Sequence, residues 1–201
     1  MSNEPMIITI SRQYGSGGRE LSELLAKKLG IPLFDRQIID LAAKKLGVSG
    51  LAYEKLEELE NNVTTGLGFV PFVPFGSSGV PLSSDMFFTE VKVMYELSKK
   101  ESCIILGRCA DVVLKDYPNL FSFFICADRP FRENRGQSVY GGKTFDELEA
   151  EDAKRADYYH RYTGRKWGRG DNYNLVINTA QLGVEKAADL IVNYIELARK
   201  K

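Results

Sequence analysis

The chain has 201 residues, 44% of them hydrophobic, which is enough for one domain with a full core. Lys plus Arg and Asp plus Glu stand at 27 each, and this balance excludes a bulk nucleic-acid binder, which needs a sustained basic face. Three cysteines without CxxC spacing and a single histidine, His160, exclude a disulfide framework and a His-rich metal centre.

The first residues, MSNEPMIITISRQ, lack a basic region followed by a long apolar stretch, and no apolar run approaches membrane length. A cytoplasmic protein is expected. Met6–Ile10 is a β-branched run of the kind buried on both faces of a parallel sheet. After it the period changes. Leu21, Leu24, Leu25 and Leu29 fall at helical spacing, and Gly30 and Pro32 stop the helix. Ile31–Phe34 reads as a second strand. Asp35 then stands as N-cap of a helix carrying Ile38, Ile39, Leu41, Ala42 and Leu46 and ending at Gly47.

A further helix is expected from Ser49 to about Asn61. Residues 63–82 carry no charge, three prolines and three phenylalanines. This stretch reads either as a loop over the core or as a substrate lid or subunit contact. Ser83 or Ser84 is expected to cap a helix reaching Lys100. Ser102–Leu106 and Leu120–Ala127 are strands, with a helix on Val112, Val113 and Leu114 between them. A long helix follows over about 144–162. Asn174–Asn178 is the last strand, and Gly183 opens a terminal helix with Val184, Ala187, Ala188, Ile191, Ile195 and Ala198 on one face. Five short strands alternating with helices predict a parallel sheet with right-handed crossovers.

Four places carry chemistry. The first is Gly15-Ser16-Gly17-Gly18-Arg19, between the first strand and a helix. Glycines there let backbone N–H groups converge on an anion at the positive end of the helix dipole. Set against the usual pattern GxxxxGK[ST], Gly18 stands where the lysine belongs, Arg19 where the hydroxyl belongs and Arg12 where the first glycine belongs. Arg12 or Arg19 is left to bring charge to the phosphates. Arg19 is the favoured one, being on the first helical turn; its alternative is a surface pair with Glu23.

The second place is Asp35-Arg36, which either receives a ligand at the end of a strand or merely caps and solvates a helix. The third is Arg108, after Gly107 at the end of another strand. The fourth is the basic stretch Lys154, Arg155, Arg161, Arg165, Lys166 and Arg169, either a solvated face or a lid that stabilises phosphoryl charge.

The segments SRQYGSGGREL, FDRQIID, ILGRCADVVL and KRADYYHRYTGRKWG with NYNLVIN resemble the cytidylate kinase-like family over about residues 6–195. The resemblance implies a three-layer P-loop kinase fold of the α/β class. Its five-stranded parallel sheet would be flanked by helices in a single domain, 1–201. That domain would include a helical acceptor-binding region over about 35–100 and a basic lid over about 144–170. It implies a nucleotide kinase using ATP and Mg2+, with small-molecule nucleotides as partners and CMP as first acceptor. Residue by residue, it sets Gly15, Ser16, Gly17, Gly18 and Arg19 at the donor phosphates, where Arg12 is also expected from its own place before the loop. It sets Asp35, Arg36 and Arg108 at the acceptor, and Lys154, Arg155 and Arg161 at the transferring group.

Overall fold

The computed structural model describes residues 4–47, 49–50 and 82–200. The expected helix through Leu51 to Asn61 and the apolar stretch 63–81 lie outside the described residues. Five strands form one sheet: β1 (Ile7–Arg12), β2 (Leu33–Phe34), β3 (Cys103–Leu106), β4 (Leu120–Cys126) and β5 (Leu175–Asn178). Their order is β2-β3-β1-β4-β5 and every pairing is parallel. The helices are α1 (Gly18–Leu29), α2 (Arg36–Leu46), α3 (Leu82–Lys100), α4 (Ala110–Val113), α5 (Arg129–Ser138), α6 (Phe145–Thr163), α7 (Thr179–Leu182) and α8 (Val184–Arg199).

β1 lies at the centre because its apolar residues have two faces to bury. Ile8 and Ile10 pack with Leu21 and Leu25 of α1 and with Ala187, Ala188, Ile191 and Ile195 of α8. Each fully buried Ile or Leu among these is worth about 1.5–3 kcal/mol. Alternation sends Thr9 and Ser11 to the opposite face, and both are buried there. Phe124 packs on that face against the rings of Trp167 and Tyr173, at 5.0 and 5.2 Å between centroids.

The chain forms two compact units, Met1–Phe34 with Ser98–Lys201, and Asp35–Leu97. In the second unit Ile38, Ile39, Ala42 and Ala43 are buried, as are Met86, Val93 and Met94, and Lys45 pairs with Glu96 at 2.8 Å.

Three local expectations need correction. α3 starts at Leu82, so Ser83 and Ser84 lie inside the helix rather than capping it. Asp35 occupies the N-cap position of α2, yet its side chain makes no capping hydrogen bond. α5 was not foreseen, because the residues it buries are Arg132 and Gly136 rather than an apolar stripe. α6 begins as expected, with Thr144 and Glu147 closing a reciprocal capping box.

Candidate active site

The loop between β1 and α1 is held in place from several directions. Gln13 N–H donates to the Ile125 carbonyl at 2.9 Å, and its side-chain oxygen accepts from Ala127 N–H at 3.2 Å. The buried Ser16 hydroxyl donates to the Gln13 carbonyl at 2.8 Å, and Thr179 Oγ1 donates to the Ser16 carbonyl at 2.6 Å. Gly15 and Gly17 have φ of +79° and +76°, the left-handed region that glycine enters without penalty. A Cβ on Gly17 would also stand 2.7 Å from Val184 Cγ2. The loop then opens directly into α1, whose first N–H groups have no intrahelical acceptor. Shape, rigidity and dipole here suit an anion.

Tyr14 is the most strongly fixed loop residue. Its N–H donates to Asp152 Oδ1 at 2.7 Å, and its carbonyl accepts from Arg132 Nε at 2.8 Å. Arg132, 3% exposed, also donates to Asp152 Oδ2 and to Glu149 Oε1, each at 2.6 Å. Burial pushes the Asp152 carboxyl up to about 6, against the pull of the Tyr14 N–H and the two neighbouring guanidinium groups. Arg155 donates to Asp152 Oδ1 and to the Arg12 carbonyl, both at 3.2 Å, and lies over the Tyr14 ring at 4.9 Å. Thus α6 is tied to the loop at Asp152 and Arg155.

The other basic residues of α6 stand apart. Lys154 is on its exposed face, 3.3 Å from Glu151, and Arg161 is exposed in the last turn. Arg19 forms the surface pair that was its alternative. It pairs with Glu23 at 3.3 Å with its side chain 69% exposed, because four-residue spacing along α1 brings those two together on the outer face.

Arg12 takes a different course. A Cβ built on Gly18 would stand 2.5 Å from Arg12 Cβ and 3.0 Å from its Cγ. A Cβ on Gly107 would stand 2.6 Å from Arg12 Nη1. Arg135, missed in the sequence, stands beside Gly17. Its Cζ is 3.7 Å from where a Gly17 Cβ would be, its Nη2 pairs with Glu20 at 2.8 Å, and its Nε is buried with no partner among the described residues.

At the end of β3, Gly107, Arg108 and Cys109 have φ of +78°, +58° and +56°. Two successive non-glycine residues in the left-handed region carry strain of about 1–2 kcal/mol each. The turn sets the Arg108 guanidinium 5.7 Å from the Tyr158 ring centroid. It also starts α4, where Asp111 is 7% exposed. Asp111 Oδ2 accepts from the Tyr159 hydroxyl at 2.7 Å, while Oδ1 is buried with no partner among the described residues. Burial raises the Asp111 carboxyl above its ordinary range. Asp35 and Arg36 belong to the second unit, where Asp35 N–H donates to Gln37 Oε1 at 3.0 Å.

The magnesium expectation finds no hydroxyl at the loop position that ordinarily binds it. Arg19 occupies that position, and Ser22 Oγ is committed to the Gly18 carbonyl at 2.7 Å. Among the described residues no cluster of three His, Cys, Asp or Glu side chains gathers to hold a metal.

A five-stranded parallel sheet with a glycine loop after its central strand defines the P-loop kinase fold. The profile of the cytidylate kinase-like family matches residues 7–181, and the chain belongs to that family. Among solved structures, an uncharacterized protein from Eubacterium ventriosum ATCC 27560 is similar at 25% identity and a TM-score of 0.72, covering 95% of this chain and 98% of that one. The shikimate kinase from Acinetobacter baumannii, solved in complex with shikimate, superposes with a TM-score of 0.53 at 14% identity, over 99% and 97% of the two chains. The APS kinase CysC from Mycobacterium tuberculosis, in complex with AMPPNP and APS, does so at 0.50 and 15% identity, over 96% and 98%. A comparison with curated proteins returns no match. Among the described residues no helix is long and apolar enough to cross a membrane.

Proposed function

We propose that the chain is a cytoplasmic phosphotransferase that moves the γ-phosphoryl of ATP onto a nucleoside monophosphate, with CMP the first acceptor. One observation carries this reading. The Gly15–Gly18 loop is braced on every side and delivers left-handed glycines to the start of α1. Such a loop is pre-shaped for the phosphates of the donor, so little ordering cost remains on binding. Arg135 beside Gly17 adds charge on the donor side. Arg108, held in a strained turn at the end of β3, is suited to the acceptor phosphate, with Asp35 and Arg36 as further acceptor groups. Arg155, fixed against the loop, serves the transferring group, with Arg161 and Lys154 beyond it on the same helix.

A second reading keeps the transfer and changes the acceptor to another small molecule; the shikimate and APS kinases share the fold. A third is a nucleotide sensor without turnover, favoured by Gly18 and Arg19 in place of the lysine and the hydroxyl. A thermal-shift panel of nucleoside mono- and triphosphates separates these, since a ligand of the native state raises its stability by mass action. Stabilisation by ATP and CMP, followed by ADP release on mixing, is the expected result. ATP stabilisation with no ADP from any acceptor would leave the sensor.

A further inference from the structure

We propose that Arg12 carries the positive charge that a lysine ordinarily brings to this kind of loop, and that Gly18 and Gly107 together form the slot for its side chain. The assignment rests on the phosphotransferase reading.

Gly18 is the informative residue. Its φ lies outside the left-handed region, so its backbone accepts any side chain. What it lacks is room: the β- and γ-carbons of Arg12 occupy the space where its own Cβ would be, at 2.5 and 3.0 Å. The position that ordinarily bears the lysine is therefore glycine because the stem of residue 12 crosses it: the 2.5 Å approach is to the Cβ of Arg12, and Ile125 Cβ stands 3.3 Å away. Sheet register directs the Arg12 side chain. Ile10 pairs with Leu106, and Gly107 N–H donates to the Ile10 carbonyl at 2.9 Å, so β1 parts from β3 beside the Gly107 turn while staying paired with β4 through Arg12. The Arg12 stem then lies on the first residue of α1 while Nη1 lies against Gly107, next to Arg108. Its backbone is steadied by Arg155 at the Arg12 carbonyl.

This places the guanidinium between the donor loop and the strand end that presents Arg108. A phosphoryl group passing from one to the other travels along that line. The bond from γ-phosphorus to the bridging oxygen breaks and its electron pair stays with the departing diphosphate. The new bond forms from an oxygen of the acceptor phosphate, which is already ionised, so no proton has to move. Arg12 exchanges no atoms; it supplies fixed charge and two or more N–H donors to the oxygens.

Substitutions at positions 12, 18 and 19 test the assignment by calorimetric ATP binding and melting temperature. Arg12→Gln keeps the stem over Gly18 without the charge, and should melt close to wild type while binding ATP at least tenfold more weakly. Arg12→Lys should keep part of the affinity. Arg12→Gly with Gly18→Lys removes the Cβ that would stand 2.5 Å from the lysine's own, and should recover affinity that Arg12→Gly alone loses. Gly18→Ala should lower the melting temperature in the wild type and by less in the Arg12→Gly background, where only Ile125 Cβ at 3.3 Å remains close. Wild-type ATP affinity in Arg12→Gln and Arg12→Gly, or a loss in Arg19→Ala instead, would overturn the assignment alone. A wild-type chain that binds no nucleoside triphosphate overturns the phosphotransferase reading, and this assignment with it.

Discussion

The Arg132 guanidinium and the Asp152 carboxylate pair at 2.6 Å beside the phosphate loop, and each also holds one backbone group of Tyr14. The loop's shape thus depends on a buried ion pair supplied by α5 and α6. Removing one partner of such a pair leaves the other charge desolvated, at a cost of about 3–5 kcal/mol. Arg132→Ala should destabilise by that amount in urea titrations. Asp152→Ala leaves Arg132 its bonds to Glu149 and the Tyr14 carbonyl and should cost less, and the double variant should cost less than the sum of the two. A loss below about 1 kcal/mol in Arg132→Ala would mean that the pair contributes little.

Gly17→Ala meets two obstacles, the left-handed backbone and the methyl group of Val184 at 2.7 Å. The first costs about 1–2 kcal/mol. Val184→Ala removes only the second, so the double variant should recover part of the stability and leave that backbone cost. Full recovery would show that space alone requires glycine there.

Arg108 separates strain from charge. Arg108→Ala and Arg108→Gly both lose the guanidinium, and each should raise the acceptor KM by a factor corresponding to about 1.5–3 kcal/mol, with a smaller effect on the ATP KM. Only Arg108→Gly also relieves the backbone, by about 1–2 kcal/mol. It should therefore unfold at higher urea than Arg108→Ala. Equal effects on both KM values would move Arg108 away from the acceptor.

Asp111 gives the fold a pH dependence whose sign follows from burial. Its pKa is raised in the folded state, so the native protein keeps a proton that the unfolded chain has released. The stabilising contribution is full below the unfolded carboxylate pKa, about 4, and is lost as pH rises through the raised folded value. Asp111→Asn removes that contribution and should flatten urea midpoints measured upward from pH 4. The share of Asp152, lost between about 4 and about 6, remains and has the same sign. At pH 7 the Asn variant should equal or exceed wild type in stability. A steeper profile in the variant would contradict this origin.

Much of the fold was legible because period and punctuation agree. β1, the glycine loop and α1 follow each other with a clean change from buried strand to helical spacing, and Gly30 and Gly47 both end helices in the left-handed region. α5 shows where that logic fails. It has a start signal in Asp128 and Pro130, but its inward residues are a charged arginine and a glycine, so hydrophobic periodicity is silent. Buried arginine becomes readable only once its partners are known, and Glu149 and Asp152 lie 17 and 20 residues further on. The same limit hid the course of the Arg12 side chain. Helical spacing showed that Glu23 was within reach of Arg19, but only the packing of β1 against β3 shows Gly107 beneath Arg12.

The loop's braces come from far along the chain. Tyr14 is bound by residues 118 and 138 positions later, and Ser16 by Thr179, 163 positions later. During synthesis the strand, loop and α1 leave the ribosome before any of these partners is made. Local contacts can form early, but contacts this distant wait for the chain between them to be completed. Nucleotide binding should therefore appear late and abruptly in a series of C-terminally shortened chains, once Thr179 and the helix that follows it are present. A growing chain would be shielded in this way from taking up nucleotide before it can release or use it.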